Sequence, residues 1–389
     1  MLSLLSIPLR SLLNWRPIRF LLVCTRWKSG SDNPAEEQAA MKSRAAIHVG
    51  HGKPLVVDEV NIPDPQPDQV VVKLYSSGVC HSQLHQMHNA ETETPSLLGH
   101  EGFGVVTQIG SNITHLKEGD AAIVTWVPRE PVQGRWRAPD GGVTWNEEPL
   151  SGPTYTWGED AIVWGGYAVK VADDAPRDLS SIVGCAVLTG AGAVTHTAKV
   201  RPGDSVAVFG VGGVGMSAIQ MAAILEAYPV IAVDIDDSKL EFAKEFGATH
   251  TVNSSKVDPI EAIIDITNGG VDFAFDAIGL KITNEQILPV TRSGGSGADN
   301  IGGMAVMIGM PGPEMTIWPG HFMFHQRQYR GSLGATYPDK DFDMYLRLYK
   351  EGKFPLDKLV TKRYKLDDIN EACDDLQSGK ILGRAILEY

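Results

Sequence analysis

Residues 205–234, reading SVAVFGVGGVGMSAIQMAAILEAYPVIAVD, constrain the fold more than any other part of the chain. A short β-branched run (205–209) meets Gly210-Val-Gly212-Gly-Val-Gly215. A segment of helical period follows, and a second apolar run closes on Asp234. This order is a βαβ unit with the glycine spacing of a dinucleotide-binding turn. Gly210 permits the tight turn, Gly212 lets backbone approach a pyrophosphate, Gly215 lets helix and strand pack closely, and the helix N-terminus offers free N–H groups to phosphate. Asp234, about 20 residues on, can accept hydrogen bonds from a ribose hydroxyl and would repel a 2′-phosphate, so the spacing predicts NAD rather than NADP.

The same alternation continues on both sides. Apolar runs at Ser205, Val230, Thr249, Val271, Met304 and Tyr329, separated by helical stretches such as 239–246 and 259–267, predict a six-stranded, doubly wound parallel sheet over residues 188–334. Residues 41–187 read instead as short strands (45–49, 54–60, 70–76, 102–109 and 121–124) between turn residues, a small irregular β domain. The tail, 335–389, holds two amphipathic helices (342–350 and 366–377) and a last strand (385–387), and is expected to return to the first domain. Its 389 residues suffice for two such cores.

Residues 1–31 differ in kind. They carry Arg10, Arg16, Arg19, Arg26 and Lys28 with no acid before Asp32, the composition of an organellar transit peptide, and 32–40 read as a linker. The leader stands equally as an upstream extension without a role, so the expected location is cytoplasmic, or the mitochondrial matrix if the leader is a targeting signal. No apolar run is long enough to span a bilayer. A formal net charge of −13 leaves no basic excess for nucleic acid or an anionic membrane. Four cysteines (Cys24, Cys80, Cys185 and Cys373) are too few for a disulfide framework and fit a reducing compartment.

Two further stretches carry chemistry: Gly78-Val-Cys80-His81-Ser82-Gln83-Leu84-His85, and Leu98-Gly99-His100-Glu101-Gly102-Phe-Gly104, with Cys185 beyond. Two thiolates and an imidazole are ligands that zinc prefers, and three of them leave a tetrahedral position open. Taken singly, each cysteine reads as a buried apolar residue and His100 as a satisfied core histidine; a span of over 100 residues does not show that they converge.

On the Gly99–Gly104 motif, with Gly110 and Ile113 behind it, the chain resembles the zinc-dependent alcohol dehydrogenases of the medium-chain dehydrogenase/reductase family over residues 41–389. The resemblance implies a GroES-like irregular β catalytic domain beside a Rossmann sheet, and an enzyme that moves hydride between an alcohol and NAD+. It implies Cys80, His100 and Cys185 as ligands of one catalytic zinc, with Glu101 behind them as supporting carboxylate or transient ligand. Ser82 would take the alcohol proton and His85 pass it to solvent. His81 and Arg384 would contact the cofactor pyrophosphate, Lys239 would stand beside Asp234 at the ribose, the backbone at Ile308 and Met310 would hold the nicotinamide amide, and Trp126 would wall the substrate pocket. Zinc makes a hydroxyl acidic that does not ionise unaided at neutral pH, so the pattern fits an alcohol or aldehyde as small-molecule substrate. A homodimer or homotetramer is expected.

Two departures matter. The family's acid after the relay hydroxyl is here Gln83, an amide that can orient a ring but cannot stabilise charge as a carboxylate does. Many relatives bind a structural zinc through four close cysteines in the lobe after Trp126. Residues 127–166 contain none and are rich in Trp (Trp136, Trp145, Trp157 and Trp164), so aromatic packing is expected to hold the lobe and no structural zinc is expected. Other residues receive ordinary readings: Cys373 and the Met304, Met307, Met310 series as core, His48, His51, His88 and His115 as exposed, and Asp339, Asp341 and Asp343 as a solvated helix start. Two alternatives stand beside the leading function: a dehydrogenase of formaldehyde–thiol adducts from the same family, and a non-catalytic dinucleotide-binding protein.

Overall fold

Among the described residues the first strand begins at Met41. The computed structural model describes residues 40–134 and 137–389; the leader, with Cys24, and Trp136 lie outside the described residues. Strands β1 (Met41–His48) and β2 (Val56–Ile62) pair antiparallel, and β3 (Gln69–Val79) follows as the longest strand. Helix α1 (His81–His88) starts immediately after Cys80. Next come β4 (Ser96–Leu97), β5 (Gly102–Ile109), β6 (Ala121–Val124), β7 (Thr144–Trp145), β8 (Glu148–Pro149), β9 (Asp160–Trp164) and β10 (Ala168–Lys170). They complete two sheets ordered β4-β1-β2-β7-β8 and β10-β6-β5-β3, with β9 also against β3.

Cys185 is the N-cap of helix α2 (Ala186–Gly192), which continues through six residues of π-helix to the left-handed Lys199. The parallel sheet is then built from β11 (Val206–Phe209), helix α3 (Gly213–Ile224), β12 (Val230–Asp234), α4 (Asp237–Lys244), β13 (His250–Asn253), α5 (Pro259–Thr267), β14 (Phe273–Asp276), α6 (Lys281–Gln286), β15 (Met304–Met307), α7 (Gly320–Met323) and β16 (Gln328–Gly331). Its order, β13-β12-β11-β14-β15-β16, is all parallel, and the order reverses beside β11, the switch point where open α/β sheets bind ligands. Every residue of β11 is buried, as a central strand covered on both faces must be.

The chain then adds α8 (Pro338–Lys350), α9 (Leu356–Leu359), β17 (Val360–Tyr364), α10 (Ile369–Gln377) and β18 (Arg384–Glu388). Strand β18 pairs antiparallel with β3, so Arg384 lies at the start of a strand beside the one that ends at Val79, just before Cys80. One apolar cluster runs from Phe103 and Ile123 through Val187 and Leu188 to Val208 and Met216, and residues 40–389 form a single compact unit.

Several simple expectations give way to packing. His48 is fully buried because the short strand β4 closes over the end of β1, with Ser96 Oγ 3.5 Å from its Nδ1. His115 is half-buried, its Nε2 facing the Gly165 and Ala168 carbonyls. Asp341 is not a solvated helix-start residue: it is buried and accepts hydrogen bonds from Thr336 and the Tyr337 amide while pairing with His196. Met310 falls beyond the end of β15 and is 61 % exposed, whereas Met304 and Met307 are half-buried. Cys373 is core as expected, and burial pushes its thiol up to about 12. In the cysteine-free lobe, Trp157 and Tyr155 are fully buried, Trp157 Nε1 donates to the Gly78 carbonyl and Trp145 Nε1 to Asp58. Trp164 stacks edge-on against Tyr167 at 5.3 Å.

Candidate metal and dinucleotide site

Strand β3 delivers Cys80 to the start of α1, the turn before β5 carries His100, and the end of a 3-10 turn delivers Cys185 to the start of α2. The turn at His100 depends on Gly99, whose φ of +100° lies in the left-handed region, with Thr156 so close that a side chain would collide. The three elements converge. Cys80 Sγ lies 4.0 Å from Cys185 Sγ, His100 Nε2 lies 3.1 Å from Cys185 Sγ, and one ligand atom from each of Cys80, His100, Glu101 and Cys185 falls within 4.8 Å of the others. Two sulfurs each about 2.3 Å from a tetrahedral zinc are about 3.8 Å apart, so the spacing fits that ion.

The two thiols face each other and shift in opposite directions. Cys80 is drawn well below the ordinary thiol range by the hydrogen bond from Cys185, with the charge of Arg384 assisting, and Cys185 is pushed well above it by the same bond and by burial. A site that stabilises one thiolate without a metal is prepared for a cation.

The imidazole of His100 is oriented from behind. Gln83, 1 % exposed, places its amide 2.5 Å from His100 Nδ1, while its other amide atom, Oε1, is buried without a partner. A neutral imidazole that turns Nε2 toward the sulfurs carries its proton on Nδ1 and needs an acceptor there. A half-turn of the amide brings Oε1 to that proton and satisfies both groups.

Glu101 is fully buried and its Oε1 accepts a hydrogen bond from Arg384 Nη2. Arg384 is itself buried and runs along Gly213 in the first turn of α3; a Cβ at 213 would strike its Cδ. One side chain therefore joins the carboxylate behind the metal cluster to the glycine turn. Arg384 also has a buried Nε without a partner. Beside it stands His81, at the start of α1, whose pKa is lowered by desolvation and by the charges of Arg384, His85 and Lys239. Arg384 and Lys239 bring positive charge to this rim and His81 a ring N–H, a set suited to phosphate.

The turn itself has the form its sequence requires. Gly210 has φ +86°, a Cβ on Gly215 would lie 1.8 Å from the Gly210 carbonyl, and a Cβ on Gly212 would enter open space where a phosphate can rest. Asp234, half-buried at the end of β12, accepts from the Val211 amide at 3.0 Å and from the Ile235 amide at 2.8 Å. These bonds fix the carboxylate against the turn and leave lone pairs for a ribose. Ser82 Oγ lies 3.5 Å from Cys80 Sγ, and His85 is exposed three residues along the same helix, with no hydrogen bond joining the two among the described residues. Trp126 stands edge-on to His100 at 6.5 Å. The amides of Ile308 and Gly309 are both used by the Asp276 carbonyl, and Met310 packs its backbone over Gly279.

Two residues escaped the sequence reading. Ile235 is 71 % exposed at the end of β12, and Ile278 is 39 % exposed at the end of β14 beside Gly210. Large apolar side chains left in water at the carboxyl ends of parallel strands are the available signal.

A GroES-like β region joined to a Rossmann sheet, with a Cys-His-Cys set beside the glycine turn, defines an oxidoreductase of the zinc-binding dehydrogenase class. Comparison with known proteins agrees. The zinc-binding dehydrogenase profile matches residues 213–351, and the alcohol dehydrogenase GroES-like domain profile matches residues 66–175. An S-(hydroxymethyl)glutathione dehydrogenase of Escherichia coli O1:K1 / APEC is 33 % identical over 377 residues, covering 90 % of this chain and 100 % of its own. Among solved structures, an alcohol dehydrogenase zinc-binding domain protein from Burkholderia ambifaria superposes with a TM-score of 0.81 at 31 % identity, covering 90 % of this chain and 99 % of its own. Benzyl alcohol dehydrogenase from Acinetobacter calcoaceticus gives 0.79 at 31 % identity with the same coverage. The chain belongs to the zinc-dependent alcohol dehydrogenase family of medium-chain dehydrogenases. No helix among the described residues is long and apolar enough to cross a membrane.

Proposed function

We propose that this chain binds one zinc ion and NAD and interconverts an uncharged alcohol with its aldehyde or ketone. The observation that carries the reading is Arg384, which joins the Glu101 carboxylate of the metal cluster to the first turn of α3. A metal site and a dinucleotide turn that share a side chain are suited to one reaction. Cys80, His100 and Cys185 would hold the zinc, which would supply Lewis acidity toward a hydroxyl, and the dinucleotide on the glycine turn would supply the hydride acceptor. Ser82 Oγ takes the hydroxyl proton and releases its own toward His85, which reaches solvent. Asp234 and Lys239 hold the ribose, His81 and Arg384 hold the pyrophosphate, the backbone at Ile308 and Met310 holds the carboxamide, and Ile235 and Ile278 clamp the adenine. Trp126 forms an apolar wall of the substrate pocket. A single zinc is supported by the cysteine count, since none falls between Cys80 and Cys185.

A second reading within the family is oxidation of a formaldehyde–glutathione adduct, favoured by the name of the Escherichia coli relative. NADH absorbance separates the two: the first expects turnover of simple alcohols such as benzyl alcohol, and the second turnover only with formaldehyde and glutathione together. Cys185→Ser is expected to abolish turnover while NADH binding persists.

We further propose a homodimer or homotetramer. Strand β16 is an open edge of the parallel sheet, and the chain before and after it exposes Trp318 (57 %), Phe324 (69 %) and Leu333 (84 %). Open edges flanked by apolar residues invite a second copy, and sedimentation of the full chain tests this.

A further inference from the structure

Asp276 closes β14 at the carboxyl edge of the parallel sheet. It lies between Phe209, which leads into the Gly210 turn, and Met307, which leads into Ile308. Its side chain is fully buried; burial raises its pKa, and the groups that oppose the rise are the Thr283 hydroxyl and the Ile278 and Gly279 amides, with no cation among them. Buried carboxylates are ordinarily paired with a cation or a metal, so one that faces only amides and a hydroxyl requires a reason. Geometry supplies it. Asp276 Oδ1 accepts from the Ile278 amide at 3.2 Å and Oδ2 from the Gly279 amide at 2.9 Å, while its carbonyl accepts from both the Ile308 and Gly309 amides at 2.9 Å. One residue therefore fixes four amides in two loops. The loops interlock: Gly279, with φ +93°, lies so close to the Met310 backbone that a Cβ would collide with it, and a Cβ on Gly309 would strike the Gly279 amide. On its other side the same segment is tied to the glycine turn, the Ala277 amide donating to the Phe209 carbonyl at 2.8 Å and the Ile278 side chain lying against Gly210.

We propose that Asp276 is a positioning residue for the nicotinamide end of the cofactor. Its carboxylate holds Gly279 against Met310 and its carbonyl holds Ile308 and Gly309, so the seat for the carboxamide stands at a fixed distance from the pyrophosphate turn. A carboxylate offers an acceptor to each amide of the 278–279 segment. Asparagine offers one and turns an N–H toward the other, so the seat loosens. Asp234, which holds the ribose from β12 through its own bonds to the Val211 and Ile235 amides, is left in place.

The inference rests on the NAD reading, and calorimetry of the full chain with NADH and with ADP-ribose, which lacks the nicotinamide ring, tests the two separately. Wild type is expected to bind both; a wild type that bound no NADH would overturn the NAD reading and the inference with it. Asp276→Asn is expected to weaken NADH binding about 10-fold, the effect of losing one buried hydrogen bond to a charged group, with ADP-ribose affinity kept within about threefold. Gly309→Ala, which pushes the two loops apart at Gly279, is expected to show the same split and carries the test if Asp276→Asn does not fold. A residue that only supported the fold would lower both affinities and the unfolding temperature together. Equal losses for the two ligands in a folded variant, or NADH affinity unchanged, would refute the inference while leaving the NAD reading intact.

Discussion

Gln83→Met removes the side-chain hydrogen bond at the back of His100 while preserving side-chain length and burial. The amide lies 2.5 Å from His100 Nδ1 at a position 1 % exposed, so water cannot replace the acceptor that methionine lacks. A buried imidazole N–H left without a partner costs about 1–3 kcal/mol. Loss of a contact supporting a metal-ligand histidine weakens metal binding about 10- to 100-fold, or about 1.4–2.8 kcal/mol, and the two ranges coincide. Competition with a chromophoric zinc chelator at neutral pH measures the loss directly. Gln83→Glu keeps the reach and supplies an acceptor, so it is expected to bind metal at least as well as wild type. If Gln83→Met held zinc within about twofold of wild type, the amide would be filling space and the argument for its half-turn would fail.

Other consequences follow from single contacts. Asp234→Ala is expected to relax the preference for NAD over NADP with zinc content unchanged, measured as the ratio of kcat/KM values for the two cofactors; a variant that still strongly favoured NAD would remove Asp234 from the ribose site. Gly215→Ala must push against the Gly210 carbonyl at 1.8 Å, so NADH binding measured by fluorescence is expected to fall at least 10-fold. Asp375 is held below the usual carboxylate range by hydrogen bonds from Lys362, Lys380 and Tyr364. Its folded pKa is depressed, so the stability it adds is fully present above about pH 4 and is lost as pH falls through the folded value. Asp375→Asn is therefore expected to unfold at lower denaturant than wild type at pH 7, with the gap narrowing under acid.

The glycine turn was legible because all its determinants lie within 30 residues and each has one steric or electrostatic task. The strand beginning at 102 and the helix at 259–267 were equally plain, since local alternation and the Asp258-Pro259 start decide them. The metal cluster was not legible from spacing: Cys80 and Cys185 are brought together by β3, β5 and the turn before α2, contacts between distant segments that no local period records. The resemblance suggested these ligands; the fold supplies the reason. Residues that act through another side chain were the least visible. Gln83 reads as a departure from a pattern until His100 is seen beside it, and Arg384 reads only as a phosphate contact until its additional pairing with Glu101 appears. His48 and Asp341 misled in the other direction, because polarity predicts exposure only where no neighbouring strand or helix covers the site.

The apolar interior that runs from Phe103 through Leu188 to Met216 also shapes how this molecule fails. Because one buried apolar cluster takes in residues of both the β region and the parallel sheet along that path, the two halves are expected to melt together. Heating should therefore give one calorimetric transition in which the ligand cluster and the glycine turn vanish together, and variants that alter substrate range are best tolerated on the rim rather than along this shared spine.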